Sequence, residues 1–317
     1  MDVIYILGYG RSGSTILDIV LGSHPEIQSV GELDLLSREW EERCCSCGMT
    51  YEACPLWSRV RASTLEAIGP HSIGEREKIL RCVEDLRVFP LLLANAIPQR
   101  RALDYRRLVR EELASIARIG GKATILDSSK CAREAAGRAL AMSRIAGVRV
   151  KMIHLVRDGR AVLWSVKRGD NVRLGEGCGE DAAAFSWPPV RALGGWMLAN
   201  AIALLTALVS PRGSVLQVRY EDLVREPRRE LMRIGRFLER DLSAIADRIE
   251  RGETFAAGHN TGGNRARKEG ALRLREDREW EKRLGRADRA LYWTVGWPVA
   301  LAVGGRSRKA RSERSAF

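Results

Sequence analysis

The chain has 317 residues, of which 45% are hydrophobic and 29% charged, and its formal net charge is +13. That composition supplies a full apolar core and excludes collagen-like, low-complexity and broadly disordered classes. The basic excess favours acidic partners, and it suits nucleic acid, anionic lipid or a small polyanionic ligand equally.

In chain order, Met1-Asp2 leads into the short apolar run Val3–Leu7. With no basic region before it, this run reads as a buried strand, not a secretory signal. Further strands are predicted at Ile27–Val30, Ala123–Leu126, Lys151–Val156 and Val215–Arg219. Most lack clean alternation, as expected of strands covered on both faces. Helical patterns lie between them, at Ser14–Leu21, much of Arg76–Ile119, Ala132–Ile145, Arg160–Lys167, Ala192–Leu208 and Arg228–Leu238. This alternation predicts an α/β fold, a P-loop-like open parallel sheet with helices on both faces and helical insertions. Asn171–Pro189 and Glu253–Lys268 read as long loops. Residues 1–303 are expected to form one domain and 304–317 a basic, disordered tail. No segment is expected to reach the length of a membrane span. Seven cysteines, an odd number, argue against a disulfide scaffold and for a reduced, cytoplasmic chain.

The informative segment is Gly8-Tyr9-Gly10-Arg11-Ser12-Gly13-Ser14-Thr15, between a strand and a helix. Glycines there let the backbone turn sharply and bring amides against an anion at the helix N-terminus. A Walker A loop would need lysine where Ser14 stands, so ordinary ATP or GTP hydrolysis is disfavoured. Gly8, Gly10 and Gly13 also fit a dinucleotide fingerprint, with Glu32 as its ribose-binding acid and NAD or FAD as ligand. A phosphosulfate loop uses every polar group, with Arg11 replacing the Walker lysine and Ser12, Ser14 and Thr15 adding hydroxyls. Past a second buried strand, Arg157 and then Ser165 face the same rim and suit a separate phosphate. The plain alternative there is a surface or capping pair between Arg157 and Asp158.

These segments resemble the PAPS-dependent sulfotransferases, particularly bacterial members and relatives acting on carbohydrates and protein tyrosine. The resemblance runs through Gly10–Thr15, His24-Pro25, Gly31-Glu32, Asp127–Lys130, Leu155–Val162 with Ser165, Arg219–Leu223, Gly263–Arg267 and Asp277–Trp280, in one order. It implies a sulfuryl donor, 3′-phosphoadenosine-5′-phosphosulfate (PAPS), with Arg11, Ser12, Gly13, Ser14 and Thr15 on the 5′-phosphosulfate. Arg157 and Ser165 would take the 3′-phosphate, and Arg267 with Lys268 would close over the donor. Gly159 stands where many relatives have proline, which is expected to loosen the turn.

The implied chemistry is in-line displacement at sulfur by an acceptor hydroxyl or amine. Arg11 and Lys130 would neutralise growing charge, and Glu32 would take the acceptor proton. His24 reads as a turn residue and His154 as a satisfied core histidine. A non-catalytic nucleotide-binding module remains the other class. No metal is expected: Cys44, Cys45, Cys47 and Cys54 do not follow paired zinc spacing, so structural thiols or a local disulfide are favoured. Trp164, Trp187 and Trp196 are expected in the core. The acceptor, whether small molecule, glycan or lipid, and the oligomeric state are not legible. No nucleic-acid motif is present, and a buried terminal helix is favoured over membrane contact.

Overall fold

The computed structural model describes residues 1–36, 43–69, 73–168, 171–172, 184–185, 187–262, 272–274 and 276–304. Its strands are β1 (Asp2–Leu7), β2 (Ile27–Gly31), β3 (Thr124–Asp127), β4 (Arg149–Val156), β5 (Asn171–Val172), β6 (Ala184–Phe185) and β7 (Val215–Arg219). Five of them form one parallel sheet in the order β2-β3-β1-β4-β7. The predicted fold class and all five predicted strands are observed, with ends moved by one or two residues. Within the predicted loop Asn171–Pro189, β5 and β6 form a short antiparallel pair.

The fourteen α-helices of the described residues cover the sheet and its ends. These are α1 (Ser14–Gly22), α2 (Trp57–Ile68), α3 (Ile73–Glu84), α4 (Phe89–Leu93), α5 (Gln99–Gly120), α6 (Arg138–Arg144) and α7 (Gly159–Lys167). They continue with α8 (Pro189–Val209), α9 (Tyr220–Arg225), α10 (Pro227–Leu238), α11 (Ser243–Glu250), α12 (Glu279–Arg283), α13 (Arg286–Leu291) and α14 (Trp297–Gly304). Alternate residues of β1 enter different cores, as the strand's period of two requires. Val3, Tyr5 and Leu7 pack with Tyr105, Val109 and Leu113 of α5. Ile4 and Ile6 pack with Leu17 and Leu21 of α1 and Leu231 and Ile234 of α10.

Helix α8 is 21 residues long and apolar enough to cross a membrane by length and composition, contrary to the expectation above. Its apolar character has a local cause: Ala192, Leu193, Trp196, Ala199, Ile202 and Ala203 are buried, while Leu198, Leu205 and Leu208 are exposed. The helical pattern predicted over much of Arg76–Ile119 divides into α3, α4 and α5, because Pro90 and Pro98 cannot donate inside a helix and stand at the starts of new ones.

The strand order positions the site. Chain leaving β1 turns to β2 on one side, whereas chain leaving β4 reaches β7 on the other. In open α/β sheets, ligands bind where neighbouring strands send their connections apart. Here that crevice lies beyond the carboxyl ends of β1 and β4. The order also differs from the 3-2-1-4-5-6 of dinucleotide folds, because β3 separates β2 from β1. Glu32 therefore follows a strand one place too far from the glycine turn to serve as the ribose acid of that fingerprint.

Candidate functional site

The glycine turn runs from β1 into α1. A Cβ on Gly8, which has φ +125°, would lie 2.4 Å from the Leu155 carbonyl oxygen. One on Gly13, with φ +91°, would lie 2.3 Å from the Tyr220 ring, whereas one on Gly10 would meet nothing within 4 Å. Gly8 and Gly13 thus let the loop lie against β4 and Tyr220, and Gly10 leaves the outer side open. Gly13 is the N-cap of α1, which has no side-chain cap and no acid in its first turn. The amide end of a nine-residue helix therefore opens toward the crevice, an arrangement that favours an anion. Ser12 and Ser14 are buried within this turn and Thr15 is half-buried.

Arg11 and Lys130 are among only four non-glycine residues with positive φ in the described chain, at +68° and +65°. Such geometry costs on the order of 1 kcal/mol or more and persists where the surroundings impose it. At Arg11 the surroundings are the second anchor. Arg11 Nε donates to Ser165 Oγ at 2.9 Å, and an Arg157 amino group donates to the Arg11 carbonyl at 2.9 Å. The two predicted anchors are thus one cluster. Arg157 is buried, lies over the Tyr220 ring at 4.9 Å and pairs with Asp277 at 3.4 Å. The buried indole of Trp196 donates to its carbonyl. No Arg157–Asp158 pair forms: Asp158 caps α7 by accepting from the Arg160 amide and pairs with the Arg160 guanidinium. The guanidinium of Arg160 in turn lies over Trp280, Tyr292 and Trp293. Gly159 has a reason other than a loosened turn, since its Cβ would sit 2.6 Å from the Tyr292 ring.

On the other side of the crevice, Lys130 Nζ forms an ion pair with Glu32 Oε1 and a 3.2 Å hydrogen bond to the Ser128 carbonyl. Tyr5 donates its hydroxyl to the Lys130 carbonyl at 2.6 Å, and the Cys131 amide donates to Gly8 at 3.0 Å. These bonds hold Lys130 beside the start of the glycine turn. Behind the pair lies buried charge. Arg138 bridges Asp127 and Glu84 at 2.8 and 2.7 Å, with all three side chains at 1% exposure or less. Asp18 accepts from Ser29, Ser128 and Asn260. Burial pushes the carboxyl of Asp18 up to about 7, against the Ser29 and Ser128 bonds. Asp34 is likewise raised to about 7 by burial and by the carboxylates of Glu32 and Asp127. Arg76, from α3, binds Glu112 through two nitrogens and reaches the Leu33 carbonyl, tying the helical insertion to the turn after Glu32.

His154 is the expected core histidine: its Nε2 meets Asn200 at 2.9 Å, and burial lowers it to about 4. His24 shapes its turn by accepting from the Glu26 amide. Trp196 is core, as expected, while Trp164 and Trp187 are half-buried. Arg267 and Lys268 lie outside the described residues; Gly262, the last described residue before them, has its Cα beside the Glu32 side chain. No local pattern marks a role for Asp18 or Arg138, whose partners come from other elements of the fold; Tyr220 and Asp277 lie within segments that carry the resemblance, without a role attached.

A family model described as the sulfotransferase domain matches residues 139–286. That span contains Arg157, Ser165, Tyr220 and Asp277 and begins after the glycine turn. A comparison with curated proteins finds no match. Among solved structures, the chain is similar to a sulfotransferase domain of the Synechococcus PCC 7002 olefin synthase, at 24% identity over 78% of this chain and 76% of that one, TM-score 0.43. A sulfotransferase domain from the curacin biosynthetic pathway aligns over 93% and 97% at 19% identity, TM-score 0.47. Sulfotransferase STF1 of Mycobacterium tuberculosis H37Rv aligns over 80% and 72% at 15% identity, TM-score 0.45.

Proposed function

We propose that the chain is a sulfotransferase that takes its sulfuryl group from PAPS and passes it to an acceptor hydroxyl or amine, a reading supported by the sulfotransferase-domain match over residues 139–286. The observation carrying the donor assignment is the meeting of Arg11, Arg157 and Ser165 where β1 and β4 send their connections apart. Two guanidinium groups, a hydroxyl and an uncapped helix end match a ligand with phosphates at two positions. The open side at Gly10 leaves the loop amides room to approach it.

Bound PAPS supplies a sulfur centre open to in-line attack by the acceptor. In this reading Arg11 through Thr15 hold the 5′ side, Arg157 and Ser165 hold the 3′-phosphate, and Arg267 and Lys268 close over it. Lys130 offsets negative charge that grows during transfer. Glu32 accepts the acceptor's proton; one of its oxygens already accepts from Lys130, and a carboxylate has a second. Being tied to Arg76 through Leu33, this side of the crevice suits acceptor recognition by the insertion spanning α3 to α5.

Calorimetric titration with 3′-phosphoadenosine-5′-phosphate, against AMP, ATP and NAD, tests the donor assignment. Binding that requires the 3′-phosphate is the expected result. Preference for NAD, or indifference to the 3′-phosphate, removes it.

A further inference from the structure

Residues 43–51 fold into a tight hairpin. The Tyr51 amide donates to Arg43, the Cys45 amide to Met49, and the Gly48 amide closes the tip onto Cys45 at 3.0 Å. Gly48 has φ +87°, which a turn of this kind needs. Cys45 and Cys47 project from this tip, and Cys54 follows shortly before α2. A fourth group arrives from far along the chain. His259 Nδ1 stands 3.3 Å from Cys54 Sγ and 3.7 Å from Cys45 Sγ, while Cys47 Sγ is 3.8 Å from Cys54 Sγ. All four donor atoms lie within 4.8 Å of one another.

We propose that Cys45, Cys47, Cys54 and His259 form a structural zinc site. Tetrahedral zinc with Zn–S near 2.3 Å and Zn–N near 2.0–2.1 Å sets neighbouring sulfurs about 3.8 Å apart and sulfur to nitrogen about 3.5 Å. Three of the six separations, 3.3, 3.7 and 3.8 Å, lie on or within a few tenths of an ångström of those edges, and none of the six exceeds 4.8 Å. Three thiolates with one imidazole is a closed donor set that suits zinc and leaves no open position for chemistry. Binding would release the thiol protons, so the site loads poorly in acid. The linear spacing that argued against zinc included Cys44. That residue is disulfide-bonded and outside the set, a departure from the reduced chain expected from composition. The disulfide is not local to the cluster, because Cys45, Cys47 and Cys54 are all free.

The site would brace the crevice. Trp57 donates to the His259 carbonyl, and Ser46 exchanges hydrogen bonds with Asn260. Asn260 then donates to Asp18, and Thr261 bridges Val30 and Glu32 along the edge of β2. A metal at His259 therefore anchors the segment that ends beside Glu32 and leads into the stretch containing Arg267 and Lys268.

The test is metal analysis of the purified full chain, followed by removal under reducing conditions and replacement with cobalt(II). The expected result is about one zinc per chain and, with cobalt, the thiolate charge-transfer and intense visible bands of a tetrahedral site. Cys47→Ser, at an exposed position, and His259→Ala should each lose most of the metal while circular dichroism of the Cys47→Ser chain stays native. Cys82→Ser should keep it. A wild-type chain that neither carries zinc nor gives the cobalt bands overturns the site. So does a Cys47–Cys54 disulfide in peptides mapped without reduction, or an unchanged cobalt spectrum in His259→Ala.

Discussion

The two sides of the crevice are built differently. Beyond β1 and β4, Arg11, Arg157 and Ser165 bond to one another, and the glycine turn contributes backbone amides and no acid. Beyond β2 and β3, a lysine and a glutamate meet, backed by Asp18, Asp34, Asp127 and Glu84 in the interior. One side is suited to holding an anion, and the other carries groups able to exchange a proton. Binding and chemistry should therefore separate under mutation.

The largest effects are expected on turnover. With an acceptor found by mass-shift screening against PAPS, Glu32→Gln should lower kcat by about 100- to 10,000-fold, and Lys130→Ala by about 100- to 1,000-fold. Both should leave KM for PAPS within a few-fold of wild type. A kcat within threefold of wild type would remove the residue concerned from the chemistry.

Next is the support beneath that side. Arg138→Met would leave Asp127 and Glu84 buried without their cation, a loss of about 3–5 kcal/mol in urea unfolding. A loss below about 1 kcal/mol would mean the carboxyls are neutral in the folded chain and the bridge is not holding the Lys130 turn in place. On the anion-holding side, Arg157→Ala should weaken binding of 3′-phosphoadenosine-5′-phosphate by about 10- to 100-fold, the worth of a charge-assisted contact. AMP binding should change little.

The smallest effect concerns pH. Asp34 is raised from its unfolded value of 3.8 to about 7, so the folded chain keeps a proton that the unfolded chain has released. Its contribution to stability is present below about pH 4 and lost as pH rises through about 7. Asp34→Asn should make the unfolding free energy fall less between about pH 5 and about pH 8, by an amount on the order of 2 kcal/mol. Asp18, shifted the same way, leaves some of the slope in place. An unchanged pH slope in the variant would show that Asp34 is ionised in the folded chain.

The strands were legible because each is a short apolar run between breakers, and the turn from β1 into α1 because glycine, arginine and hydroxyl residues crowd it. Pairings across the fold were not. Nothing local to Arg138 says that its guanidinium lies between Asp127 and Glu84, and nothing near His259 points to Cys54, 205 residues away. The strand order was also hidden, although it separates β2 from β1 and so decides against the dinucleotide fingerprint that the spacing of Gly8, Gly10, Gly13 and Glu32 permitted. Gly159 misled for a related reason. Its need is space for Tyr292, a residue of the far C-terminal region, and no backbone pattern records that.

The most direct test is a paired titration of Arg157→Ala and Glu32→Gln with 3′-phosphoadenosine-5′-phosphate. Arg157→Ala is expected to lose at least about tenfold in affinity, while Glu32→Gln is expected to bind like wild type and fail to turn over. Equal losses in both variants, or a loss confined to Glu32→Gln, would contradict the division of the crevice into an anion-holding side and a proton-handling side.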